Sequence, residues 1–191
     1  MPKPLCFNYG PAKSGVSKDD RETLLIEQAN DPSEWKMTAL DLNYAADVLW
    51  KIAKPPQAGW GKSLKSILAK FKSTVEPDWV KLIHSFILLK SYALENLVKA
   101  VYVKRKKESG EVIRENDPLL DKHLDAKLCK ESQISLSKQE EGLVNRLHDY
   151  IMWAGRYPIP KNARRDSVPW FNTATDLEMM DSLINRIMNL I

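Results

Sequence analysis

The sequence predicts an all-α protein: an antiparallel up-and-down bundle of about five to six helices built on one long central helix over about 77–107. Three observations predict it. Apolar residues recur at spacings of three and four along most of the chain. Helix-start signatures stand ahead of these runs. No segment alternates apolar and polar residues between turn signals, as a half-buried strand would. A chain of 191 residues suffices for one domain with a sizeable core, divided into an N-terminal arm with a weak helix over 1–30 and a single bundle over 31–191.

Pro2, Pro4, Gly10, Pro11 and Gly15 punctuate the start, so 1–17 reads as a peripheral arm and 18–29 as a short helix. Asp31, Pro32 and Glu34 form an N-terminus: a side-chain oxygen for the first amides, a ring preset for the first turn, and a carboxylate facing the helix dipole. Leu42, Ala45, Ala46, Leu49 and Ile52 then share a face until Pro55 and Pro56 end the helix, giving about 32–53. Leu64, Ile67, Leu68 and Phe71 suggest a short basic helix over 62–72. Glu76, Pro77 and Asp78 open the long helix, with Trp79, Ile83, Phe86, Ala93, Leu97, Ala100 and Val101 on one side. Gly110 after the basic run 104–107 closes it. Asp117 and Pro118 predict a further helix carrying Leu119, Leu120, Leu124 and Leu128. Ser137 with Glu140, and Thr175 with Glu178, match capping boxes. The first opens a helix with Leu143, Leu147, Tyr150, Ile151 and Ala154 on one stripe, stopped by Gly155. The second opens a last helix with Leu177, Met180, Ile184, Ile187 and Ile191. That last stripe reads as core or, alternatively, as a self-association seam.

Composition excludes several classes. With 43% hydrophobic and 28% charged residues the chain is neither disordered nor fibrous. No apolar run approaches the roughly 20 residues that cross a bilayer, and no apolar h-region follows Met1. Two widely spaced cysteines, Cys6 and Cys129, argue for a reducing compartment and against a disulfide framework or zinc site. A cytoplasmic protein without membrane contact is expected. A net charge of +4 permits a phosphate-rich partner without demanding one.

No metal or cofactor is expected, since His84, His123 and His148 stand in no metal-ligand spacing. Gly59, Gly61, Lys62 and Ser63 end like a phosphate loop, but Pro56 occupies the position of its first Gly and a helix precedes it, so a loop-to-helix junction is the better reading. On the long helix His84, Ser91 and Glu95 share a polar side, and Lys99 follows Glu95 at the favourable i,i+4 spacing. This side is either a solvated face with one ion pair or the polar wall of a cleft. Lys90 falls inside the apolar stripe, where it would have to snorkel. Near Gly155, Trp153, Arg156 and Tyr157 are followed by Lys161, Arg164 and Arg165, a mixture suited to phosphates and stacked bases or to a plain helix cap.

Three segments resemble one family. Leu89 to Ala100, Lys122-His123-Leu124, and Leu147 to Pro160 with its Trp153-Ala154-Gly155-Arg156-Tyr157-Pro158 core resemble HEPN-like domains (higher eukaryotes and prokaryotes nucleotide-binding), in particular an uncharacterised bacterial subgroup. The likeness spans about 78–165. It implies a helical bundle, often dimeric, associated with RNA cleavage, nucleotide binding, toxin–antitoxin pairs and phage defence. The family's nucleases carry an Arg followed by a His after four to six residues. Here Arg146 precedes His148 by two positions and Arg114 precedes His123 by nine, and Lys122 replaces the Gly before the His.

The resemblance therefore implies a bundle that binds RNA, a nucleotide or a partner protein without the usual nuclease pair. A metal-independent ribonuclease with a rearranged site is the alternative, with Glu95 as base at the 2′-OH, His123 as acid and Arg156 as the cation for the phosphorane. Asn96, Lys99, Tyr157 and Lys161 are the candidate ligand-binding residues. A structural protein without ligand is the third reading, and a homodimer is compatible with all three.

Overall fold

The computed structural model describes residues 18–53, 78–114, 117–154 and 173–191. The 62–72 helix, the Gly59–Ser63 junction, the arm over 1–17 and the basic loop after Ala154 lie outside the described residues. Six α-helices and no strand occur among those described: α1 (Lys18–Ala29), α2 (Pro32–Ala53), α3 (Asp78–Glu108), α4 (Ala126–Glu131), α5 (Lys138–Asp149) and α6 (Thr173–Met188). None is long and apolar enough to cross a membrane.

Local chemistry accounts for the helix ends. Asp31 Oδ1 accepts from the Ser33 amide at 2.9 Å and from the Ser33 hydroxyl at 2.7 Å, and these bonds hold its carboxyl below the usual range. The Ser137–Glu140 capping box is complete. α3 ends in a Schellman turn, with Gly110 at φ 75° and the Glu111 amide donating to Lys106 O at 2.9 Å. α4 ends the same way, the Ile134 amide reaching Cys129 O at 2.9 Å, but the left-handed position is held by Gln133 at φ 57°.

Cross-helix contacts give the topology. Along α2 and α3, Lys99 lies over Trp35, Lys90 reaches Asn43, and Trp50 meets Phe86, so one helix rises in number as the other falls. Lys90 to Asp181 and Lys104 to Leu190 O make α6 parallel to α3. Arg146 to Asp176 and Arg186 to Glu140 make α5 antiparallel to α6. α2, α3, α5 and α6 thus alternate direction in chain order. Every residue from Leu97 to Val103 on α3 is buried, so the long helix is covered all round over these two turns of its C-terminal half.

Three expectations need correction. No helix starts at Asp117: its carboxylate and carbonyl close a single turn at Leu119 and Leu120, and the chain then opens because Glu95 takes the Leu124 amide. The helix resumes only at Ala126, capped by Asp125. α6 begins at Thr173, so Thr175 lies within its first turn rather than at its cap. Ile52 is 64% exposed, since α2 turns Ala39 and Ala46 inward, small side chains that let it approach α3 closely. The C-terminal stripe is settled as core: Leu177, Met180, Ile184 and Ile187 are buried within the bundle and Ile191 packs against them, which leaves no seam there.

Lys90 is the largest departure from the apolar pattern. Its side chain is 3% exposed, and its ammonium meets Asp47 Oδ1, Asp181 Oδ1 and Asn43 Oδ1, each at 2.8 Å. Three donors find three acceptors from two other helices. The carboxylates themselves stay 47% and 58% exposed at the mouth of a cleft of about 200 Å³. Lys90→Met should therefore change stability by less than about 1.5 kcal/mol, because the carboxylates it leaves behind remain hydrated. Asp47→Asn with Asp181→Asn strands the ammonium and should cost about 3 kcal/mol or more in urea unfolding. Gln133→Gly should add about 0.5–1 kcal/mol by relieving the left-handed residue, measured as a higher urea midpoint at unchanged slope.

Candidate functional site

The polar side of α3 is neither a solvated face nor an open wall. Glu95 is 5% and Lys99 6% exposed. Lys99 Nζ lies 2.9 Å from Glu95 Oε1 and 5.5 Å from the centre of the Trp35 ring. The second oxygen, Oε2, accepts the Leu124 amide at 3.0 Å and faces His123 Nδ1 at 3.3 Å. Burying a carboxylate requires compensation by charge and donors together, and here one oxygen receives the charge and the other the donors.

The Lys122-His123-Leu124-Asp125 segment is held from a second helix as well. His148 Nδ1 on α5 lies 2.8 Å from Leu124 O, and a carbonyl only accepts, so this nitrogen carries the proton. Both backbone polar groups of Leu124 are therefore taken by side chains, while its own side chain is fully buried. Asp125 then accepts the Leu128 amide at 2.6 Å and starts α4. This clamp replaces the backbone ladder that the segment lacks.

The structure brings together three of the sequence-predicted residues, Glu95, Lys99 and His123. Asn96 is turned onto its own helix, its amide donating to Tyr92 O at 2.7 Å. Arg156, Tyr157 and Lys161 lie outside the described residues. His148 and Asp125 complete the clamp and were missed. An Asp three residues before Leu128 was a readable cap signal; no local pattern ties His148 to a carbonyl 24 residues earlier.

The chemistry open to the three residues differs. Glu95 is buried with both oxygens engaged, so it serves as an anchor and not as a solvent-facing base. Lys99 is committed to Glu95 and Trp35. His123 is 37% exposed, and its bond to a carboxylate directs Nδ1 inward and leaves Nε2 for solvent or ligand. Cys129 is no nucleophile, as burial pushes its thiol up to about 12. Among the described residues no group of three or more His, Cys, Asp and Glu side chains is placed to hold a metal ion.

Beyond the clamp, α4 carries Lys127 and Lys130, both exposed and without an ion-pair partner among the described residues. Both help line an open hollow of about 810 Å³ that Gln133, Ser135, Glu131 and Glu141 also border. Compared with known proteins, the chain matches no protein-family model, no curated protein and no solved structure.

Glu95→Ala should cost about 3–5 kcal/mol, because it strands the Lys99 ammonium and a buried amide. Amide exchange at Leu124 should quicken in step, observed by NMR. His123→Ala, at the rim, should cost less than about 1 kcal/mol.

Proposed function

We propose that the chain is a HEPN-like bundle that binds a phosphate-bearing ligand, single-stranded RNA or a nucleotide, without cleaving it, in a bacterial defence or stress setting. One observation carries the reading. His123 is turned outward by its bond to Glu95, and unpaired Lys127 and Lys130 follow it on the next helix. Imidazole and ammonium groups on one short stretch are what a phosphate backbone recruits, and Glu131 and Glu141 beside the lysines restrict such a ligand to a short contact. The absence of the family's Arg–His spacing and the engagement of Glu95 both favour binding over hydrolysis.

A ribonuclease is the second reading, and the Glu95–His123 contact favours it specifically. A carboxylate that fixes the Nδ1–H tautomer leaves Nε2 free to take or give a proton at the 2′-OH or the leaving 5′ oxygen. Under that reading His123 is the acid–base group and Glu95 positions it, a reversal of the roles the sequence suggested.

Fluorescence anisotropy with a labelled single-stranded RNA, in buffer containing a chelator, tests both. Binding should weaken with salt at a log–log slope of about −0.7 per phosphate contacted, with about two to three contacts expected. Lys127→Ala, Lys130→Ala and His123→Ala should each weaken it about three- to tenfold, with the RNA intact on a gel. RNA loss that His123→Ala abolishes would establish the nuclease instead. No binding at low salt would overturn both readings.

A further inference from the structure

We propose that the cleft between α2, α3 and α6 is a binding site for a guanidinium group, borne by a small molecule or by an arginine side chain of a partner. The inference is independent of the ligand reading, since the cleft shares no residue with that site.

This cleft of about 200 Å³ joins an aromatic wall to an acidic mouth. The wall is the Trp50–Phe86 pair, with ring centroids 4.8 Å apart. Asp47, Glu178 and Asp181 stand at the mouth, and Lys90 lies at the buried end. Three carboxylates against one ammonium leave an excess of two negative charges, in a chain whose net charge is +4. A concave site with low-dielectric walls focuses such a charge. Lys90 does not exhaust these groups, since it takes only Oδ1 of Asp47 and Oδ1 of Asp181. Oδ2 of Asp47 receives the Asn43 amide at 3.4 Å, a weak bond. Oδ2 of Asp181 and both oxygens of Glu178 accept nothing among the described residues. Lys90 Nζ also stands 5.9 Å from the Phe86 ring centre, so the cleft already holds one cation against an aromatic face.

Carboxylate placement and the ring wall together select the class of cation. A metal ion wants several oxygen ligands converging at bonding distance, and no such group of side chains exists among the described residues. An aromatic wall gives a hard, hydrated ion nothing. A guanidinium is planar and weakly hydrated, stacks on aromatic faces, and carries its donors in a rigid fork that matches carboxylates. In this assignment its plane lies along Trp50 while its N–H groups reach Oδ2 of Asp181 and the Glu178 carboxylate. A primary ammonium meets the charge but not the flat wall. An anion is repelled by the excess of carboxylates.

Titration of the isotope-labelled full chain with butylguanidinium, followed by NMR, tests this. The Trp50 indole N–H, assigned by its loss in Trp50→Phe, is the reporter. A dissociation constant of about 0.1–1 mM is expected for so small a ligand. Butylammonium should bind at least about threefold more weakly, and uncharged butylurea should leave the reporter unmoved. Glu178→Gln, an exposed change outside the Lys90 contacts, should weaken binding about three- to tenfold. Lys90→Met should tighten it about three- to tenfold, because it removes the competing charge and frees two carboxylate oxygens; circular dichroism confirms that each variant is folded. Acetyl-Gly-Arg-Gly-amide distinguishes the sources: binding tighter than butylguanidinium assigns the cleft to an arginine of a partner chain, and weaker binding assigns it to a small free guanidinium. No shift at about 5 mM butylguanidinium, an equal response to butylurea, or an affinity indifferent to Glu178→Gln would overturn the proposal. So would a folded Lys90→Met chain that binds no more tightly.

Discussion

A helix wrapped on all sides can keep a charge only if its neighbours supply the counter-charge, and this constraint organises the whole molecule. α3 carries Lys90, Glu95 and Lys99 within ten positions, and all three are buried. Desolvating an ion costs several kcal/mol unless charge and hydrogen bonds replace water. Each of the three therefore dictates where something else must lie. Lys90 draws Asp47 and Asn43 from α2 and Asp181 from α6 to one point, fixing how those helices slide against α3. Glu95 draws Lys99 from its own helix and the Leu124 amide from a distant loop. Apolar contacts supply the driving force for collapse but tolerate sliding by a turn; these polar contacts do not.

The same requirement explains why the segment 122–125 is irregular. A helix running through it would bond its own amides and leave Oε2 of Glu95 with one donor fewer in a dry site. Handing the Leu124 amide to Glu95, and its carbonyl to His148, satisfies the chain and the carboxylate together. The functional consequence is a division of labour. Glu95 sits inside and orients, while His123 stands at the rim with one ring nitrogen outward. An imidazole held in this way is fixed in tautomer and direction.

Much of the architecture was readable from local chemistry. The 3.6-residue pattern and the cap at Asp31 placed α2 to within a residue or two, the cap at Ser137 placed the start of α5, and Gly110 announced the end of α3, whereas α5 stops at Asp149 and passes into a π-helical turn over Tyr150–Ala154 that the pattern reads as the same α-helix. Each of these signals acts over a few residues, so a linear reading contains all of it. Gln133 shows the limit: it occupies the same left-handed position as Gly110, yet nothing in its identity announces a turn. Its conformation follows from Ile134, which must turn into the core. The turn at Asp117 misled for a related reason, since a strong start signal cannot reveal that a carboxylate 29 residues earlier will claim an amide further on.

The sequence by itself determined the fold class, the central helix and the i,i+4 pairing of Glu95 with Lys99, all of which depend on residue types a turn or two apart. Tertiary structure alone decided that the pair is buried instead of solvated, that His123 meets it, that Lys90 has partners, and that the last helix hides its apolar stripe. Burial and long-range pairing depend on which surfaces remain after the helices have docked. That outcome is a property of the assembled volume, and no short window of residues encodes it.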